Sequence, residues 1–291
     1  MNLRKLILTE NDCYKAGRKI TPKGVMVHST AANNPYLKRY VAPNDGLLGE
    51  NQYNNHWNKG RIAKCVHAFI GKLDDGTIAT YQTLPWDHRG WHCAGSANDT
   101  HISFEICEDD TKGADYFKKV YQEAVELTAM LCKEYKLDPL TDGVVICHSE
   151  GHTRGVASDH SDVMHWFPKH GKSMDTFRKD VYEAMKGKPV CTVKEWQLAA
   201  IADGFKFPRY GADGMWGAEC ASVAKKAVVK KRLVYTNKNL TRIVQKAVGT
   251  TVDGKFGNNT KKAVVAYQKE KGLVADGEVG INTWLKILNI E

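Results

Sequence analysis

Short apolar runs alternate with one long amphipathic stretch over the first two thirds of this chain, and that alternation is the strongest constraint on its fold. KGVMVHST at 23–30, HISFEIC at 101–107 and GVVICHS at 143–149 each read as a strand, and VHAFIGKLDDGTIATYQTL at 66–84 reads as two. The pair is joined at Asp75-Gly76, a strong hairpin signal. Between the later runs, ADYFKKVYQEAVELTAMLCKEYK at 114–136 spaces its apolar residues at the helical period. Strands interleaved with helices predict an α/β domain, a central mixed sheet flanked by helices.

The pattern changes near KGKP at 186–189, after a helical stretch over about 174–185. The expected division is an α/β domain at 1–186, a linker at 187–191 and a small, mostly α-helical repeat domain at 192–291. Within the last part, YGADGMWGAECASVAKKAV at 210–228 parallels TTVDGKFGNNTKKAVVAYQ at 250–268. Gln197 and Gln245 precede the two DG turns, and ADGEVGINTWLKIL closes the chain as a third echo. Two tandem repeats are expected, about 192–232 and 236–291, each unit too small to fold without its neighbour.

A chain of 291 residues with 42% hydrophobic content can support more than one core. No segment approaches the length of a spanning apolar helix, and MNLRKLILTENDC reaches Glu10 before a signal-like stretch develops. Cytoplasmic synthesis without a signal peptide and without membrane insertion is therefore expected. Eight cysteines show no CxxC pair and no regular spacing, so most are expected to be small buried hydrophobes. The net charge of +9 is uneven: residues 191–291 hold 17 Lys+Arg against 9 Asp+Glu. Such a balance favours a polyanionic partner. Aromatic residues there are too sparse and turn-bound for a nucleic-acid stacking platform, so no nucleic acid is expected.

His28 ends the first apolar run, and 120 residues later CHSEGHTRGVASDHSDVMHWF at 147–167 supplies four more histidines and two aspartates. One distant ligand plus a tight pair is the arithmetic of a hydrolytic zinc site, three protein ligands and an open position. His148 stands at the end of its own strand, able to lie beside His28 at the sheet rim. For a third ligand the loop offers His152, Asp159, His160, Asp162 and His165, and spacing alone does not choose among them. HSEGH differs from HExxH in the place of its Glu, and Gly151 weakens a helix there.

Residues about 20–170 resemble the zinc-dependent N-acetylmuramoyl-L-alanine amidases, the group shared by phage endolysins, bacterial autolysins and peptidoglycan recognition proteins. The stretches that carry the resemblance, in order, are VMVHST, VHAFIGKLDDGTIATYQTLPW, RGWHCAG, NDTHISFEICE and CHSEGHTRGVASDHSDVMHWF. It implies Zn2+ held by His28, His148 and Asp162, and Glu105 as general base, with Glu108 falling past the strand end. It also implies that His160, standing where many members carry Lys, steadies the oxyanion, and that His67, Trp91 and His92 line the substrate groove. Val66 stands where other members carry a Tyr, which throws more weight on Glu105. Residues about 239–288 resemble the peptidoglycan-binding helical module, with the first copy degenerate. Together these imply a peptidoglycan hydrolase, a phage or prophage endolysin that acts on the cell wall after release, with anionic wall polymers as further partners. The rivals are a non-catalytic peptidoglycan-recognition protein and a metallo-endopeptidase of the stem peptide.

Overall fold

The computed structural model describes residues 1–291 except 110–112, 188–189, 233, 235 and 291. The predicted linker at 187–191 therefore falls partly outside the described residues. The chain divides into two compact units, Met1–Met185 and Lys186–Glu291.

The first unit is built on a six-stranded mixed sheet: β1 Leu3–Lys5, β2 Gly24–Ser29, β3 Ala68–Lys72, β4 Ile78–Gln82, β5 His101–Ile106 and β6 Val145–Cys147. Their order across the sheet is β1-β4-β3-β5-β2-β6. Only the β3–β4 hairpin is antiparallel. Its turn uses Gly76 at φ 84°, the left-handed conformation that the Asp-Gly pair supplies without steric cost. The edge strand β1 has no counterpart in the sequence reading, because its three residues carry too little pattern.

Central β2 is buried along its whole length, which is why its sequence is nearly all apolar. Alternation then assigns its faces. Val25 and Val27 pack with Ile102, Phe104 and Ile106 in one core, which also holds Phe117, Val120 and Ala124 of α2 (Gly113–Glu134) and Phe177 of α4 (Met174–Lys186). Each fully buried side chain of this kind contributes about 1.5–3 kcal/mol. Met26 and His28 point the other way, as do Glu105 and Phe69, which share a register line with His28: His28 pairs with Glu105, and Glu105 with Phe69.

A short helix α1 (Asp12–Lys15) follows β1, and α3 (His148–Thr153) begins where β6 stops. This last helix corrects the expectation drawn from Gly151. A Cβ at that position would meet Met26 Cε at 2.8 Å and Ala157 Cβ at 3.0 Å, so the glycine serves close packing of a helix turn on the sheet. All eight cysteines are free and buried.

The second unit holds α5 Val193–Ala202, α6 Ala218–Lys226, α7 Lys238–Ala247, α8 Asn258–Glu270 and α9 Ile281–Ile287. One core joins them, from Trp196 through Leu240, Val244 and Val264 to Trp284. The repeat has a definite physical content. The Gln245 amide donates to Asp253 Oδ1 at 2.7 Å and its Oε1 accepts the Gly254 N–H at 2.8 Å. Gln197 holds Asp213 and Gly214 in the same way, and Gln268 holds Asp276 and Gly277. The clamp thus recurs three times, although the sequence displayed two full copies and an echo. Among the described residues no helix is long and apolar enough to cross a membrane.

Candidate active site

Parallel strands β2, β5 and β6 end on the same rim of the sheet, and the carboxyl ends of such strands are where open α/β sheets assemble sites. The end of β2 carries His28, β5 carries Glu105, and His148 is the first residue after β6. The third segment arrives from far along the chain. A 3-10 turn, Asp162–His165, begins with Asp162 at φ 40°, a left-handed backbone conformation uncommon outside glycine.

Asp162 Oδ2 lies 3.0 Å from His28 Nδ1 and 3.0 Å from His148 Nδ1. The three side chains can each offer one ligand atom, and those atoms all lie within 4.8 Å of one another. The rings of His28 and His148 meet edge to face at 5.0 Å. Burial by itself would raise the Asp162 carboxyl, but hydrogen bonds from His148 and His28 outweigh it and hold the group well below the usual carboxylate range. Burial wins at His28, whose imidazole is pulled down despite the opposing hydrogen bond and charge of Asp162. Two buried imidazole nitrogens and one carboxylate oxygen are a donor set that could hold a divalent metal ion.

The far nitrogens of both rings are also held. His28 Nε2 is 3.0 Å from His92 Nδ1, and His148 Nε2 is 3.1 Å from Ser158 Oγ. Ser158 Oγ continues to His160 Nδ1 at 3.2 Å, and the exposed His160 ring stacks on His148 at 4.6 Å. Outer partners of this kind fix the orientation and tautomer of ligand histidines. Glu105 is partly buried, and its Oε2 has no hydrogen-bond partner among the described residues. Burial, then the negative charge of Asp162, push its carboxyl well above the ordinary value.

The N-acetylmuramoyl-L-alanine amidase family matches residues 17–166, a little over half of the chain. The chain belongs to this family. Its second unit contains a match to the peptidoglycan binding domain over residues 237–287. N-acetylmuramoyl-L-alanine amidase CwlL of Bacillus licheniformis is 26% identical over 90% of this chain and 71% of its own length. A second protein of that organism, named a probable N-acetylmuramoyl-L-alanine amidase, is 24% identical over 96% of each chain. The solved Staphylococcus aureus hydrolase AmiA is 23% identical, covering 63% of this chain and 82% of that one, with a TM-score of 0.44. The enzyme is a peptidoglycan amidase, and peptidoglycan is its substrate.

Of the residues singled out in the sequence, His28, His148, Asp162, His160 and His92 come together, with Glu105 in register beside His28. The His92 ring backs His28, and its Nε2 is buried without a partner among the described residues. Trp91 is partly buried against Cys13, Cys65 and Leu84. His67 does not face a groove at all. It is fully buried, the Ser103 N–H donates to its Nδ1 at 3.0 Å, and its Nε2–H donates to the His88 carbonyl at 2.8 Å. No atom of that ring is left for a substrate. His152 and Asp159 are exposed, and His165 turns to Glu108. Ser158 went unnoticed in the sequence, since a serine in a polar loop carries no signal.

Burial pulls His67 down to about 4. The unfolded chain then takes up a proton below the ordinary imidazole value, about 6.5, that the folded chain refuses, so stability is unaffected above that pH and falls between it and about 4. At pH 4.5 this single group is expected to cost about 2–3 kcal/mol relative to pH 7. Denaturant unfolding of wild type and His67→Gln at both pH values checks it: the variant should lose less stability on acidification, and parallel losses would refute the assignment.

Proposed function

We propose that the enzyme is zinc-dependent and of the phage or prophage endolysin type, with His28, His148 and Asp162 holding the metal, Glu105 as general base and His160 steadying the oxyanion. The observation that carries this reading is the convergence of two imidazoles and one carboxylate from three distant segments, with Glu105 beside them in register. Zinc bound there would polarise the scissile carbonyl and lower the pKa of water.

The remaining work belongs to the chain. Glu105, with an oxygen that has no partner among the described residues, takes the proton of the attacking water and returns it to the departing amine of L-alanine. A carboxyl raised by burial is the stronger base for this task. With His148 Nδ1 engaged at the centre, its Nε2–H donates to Ser158 Oγ, and the serine hydroxyl donates on to His160 Nδ1. That order leaves the His160 Nε2–H as a donor for the developing oxyanion. Trp91 offers an apolar platform to the sugar or stem peptide. The basic second unit would hold the enzyme on anionic wall polymers and raise its effective concentration at the substrate.

Digestion of purified peptidoglycan, with and without chelator, tests the reading. Chelator-sensitive release of N-terminal alanine, without new internal peptide amines or reducing sugar ends, is expected. Internal amines would make the enzyme a stem-peptide endopeptidase, and wall binding without any product would make it a recognition protein.

A further inference from the structure

We propose that Glu108 and His165 form a positioning clamp that presents Asp162 to the metal without touching the reacting atoms. The inference rests on the reading that His28, His148 and Asp162 hold zinc, and it explains how a ligand on a loop can match two on the sheet.

Glu108 lies just beyond the end of β5 and is 2% exposed. A carboxylate so deeply placed is costly unless every oxygen is answered, and here both are. Oε1 accepts the Ala31 N–H at 3.0 Å, and Oε2 accepts from His165 Nε2 at 2.9 Å. The Glu108 N–H donates to Thr30 Oγ1 at 3.2 Å. Thr30 and Ala31 belong to the loop that leaves β2 directly after His28 and Ser29. His165 closes the 3-10 turn that Asp162 opens, and its other nitrogen lies 3.5 Å from Ser161 Oγ. One buried carboxylate therefore ties the segment of one proposed ligand to the segment of another.

The backbone gives independent support. Ala31 and Asp162 have φ values of 46° and 40°, conformations that side-chain-bearing residues hold only when their surroundings impose them. Glu108 bonds directly to the first, and through His165 it reaches the turn of the second. The contrast with Glu105 is informative. Glu105 keeps an oxygen without a partner among the described residues, suited to moving a proton, whereas Glu108 has both oxygens occupied and is suited to holding.

The test is zinc affinity, measured on the metal-stripped full-length chain by competition with a chromophoric chelator. His165→Ala and Glu108→Ala are each expected to weaken zinc binding by roughly 10–100-fold. Glu108→Gln should stay within a few-fold of wild type, because its amide oxygen still accepts from Ala31 and its NH2 can donate to a turned His165 tautomer. In an Asp162→Asn background, His165→Ala should cost nothing further, a result that general destabilisation would not produce. His165 has 31% side-chain exposure, so His165→Ala decides the matter even where Glu108→Ala does not fold. Wild-type affinity in His165→Ala would overturn the clamp alone. A wild-type chain that takes up no zinc would overturn the metal reading together with it.

Discussion

Asp162→Asn is expected to leave the chain folded and to remove its amidase activity by about 10³-fold or more, a loss of several kcal/mol of transition-state stabilisation. Asn is the informative substitution because it tolerates the left-handed backbone at φ 40°, whereas Ala would add strain to the loss of the ligand. The carboxylate oxygen lies 3.0 Å from both His28 Nδ1 and His148 Nδ1. An amide oxygen in its place keeps a weaker acceptor and no charge, so the two imidazoles lose the anion that organises them. Alanine release from peptidoglycan and zinc content by elemental analysis should fall together. Retention of both within tenfold of wild type would exclude Asp162 from the centre.

Glu105→Gln is expected to lower the rate by about 10²–10⁴-fold with zinc content unchanged, the separation that distinguishes a proton carrier from a ligand. Stability should not suffer. The carboxyl sits in a site that resists its ionisation through burial and the negative charge of Asp162, so a neutral isostere relieves rather than creates a penalty. Thermal unfolding of the metal-stripped variant should match or exceed wild type. Full activity in Glu105→Gln would transfer the base role elsewhere; full inactivity with loss of zinc would make Glu105 part of the metal's coordination.

The two variants also separate what local pattern could supply from what it could not. The apolar runs of β2 and β5 and the 3.6-residue period of α2 reflect burial, a property each segment carries in its own residues. His28 and His148 were visible for the same reason, since each stands where an apolar run ends. The last two Gln–Asp–Gly clamps are equally local. Gln245 lies eight residues from Asp253, and Gln268 the same distance from Asp276, so their hydrogen bonds recur wherever the short motif recurs.

Other assignments had no local trace. The choice of Asp162 among five loop candidates came from family resemblance, and its physical ground is a contact across 134 residues. The pairing of Glu105 with His28 depends on sheet register, and a shift of one residue would turn either side chain to the opposite face. His67, which the resemblance places in the groove, is a buried hydrogen-bonding element held just before β3 between Ser103 and His88. Glu108 stands beyond its strand, where pattern offers no reason to notice it, yet it binds His165 across 57 residues. Periodicity describes how each segment meets its immediate surroundings. The site arises where loops from separate strands close on one rim, and those closures are decided by long-range hydrogen bonds and charge pairs that no single segment contains.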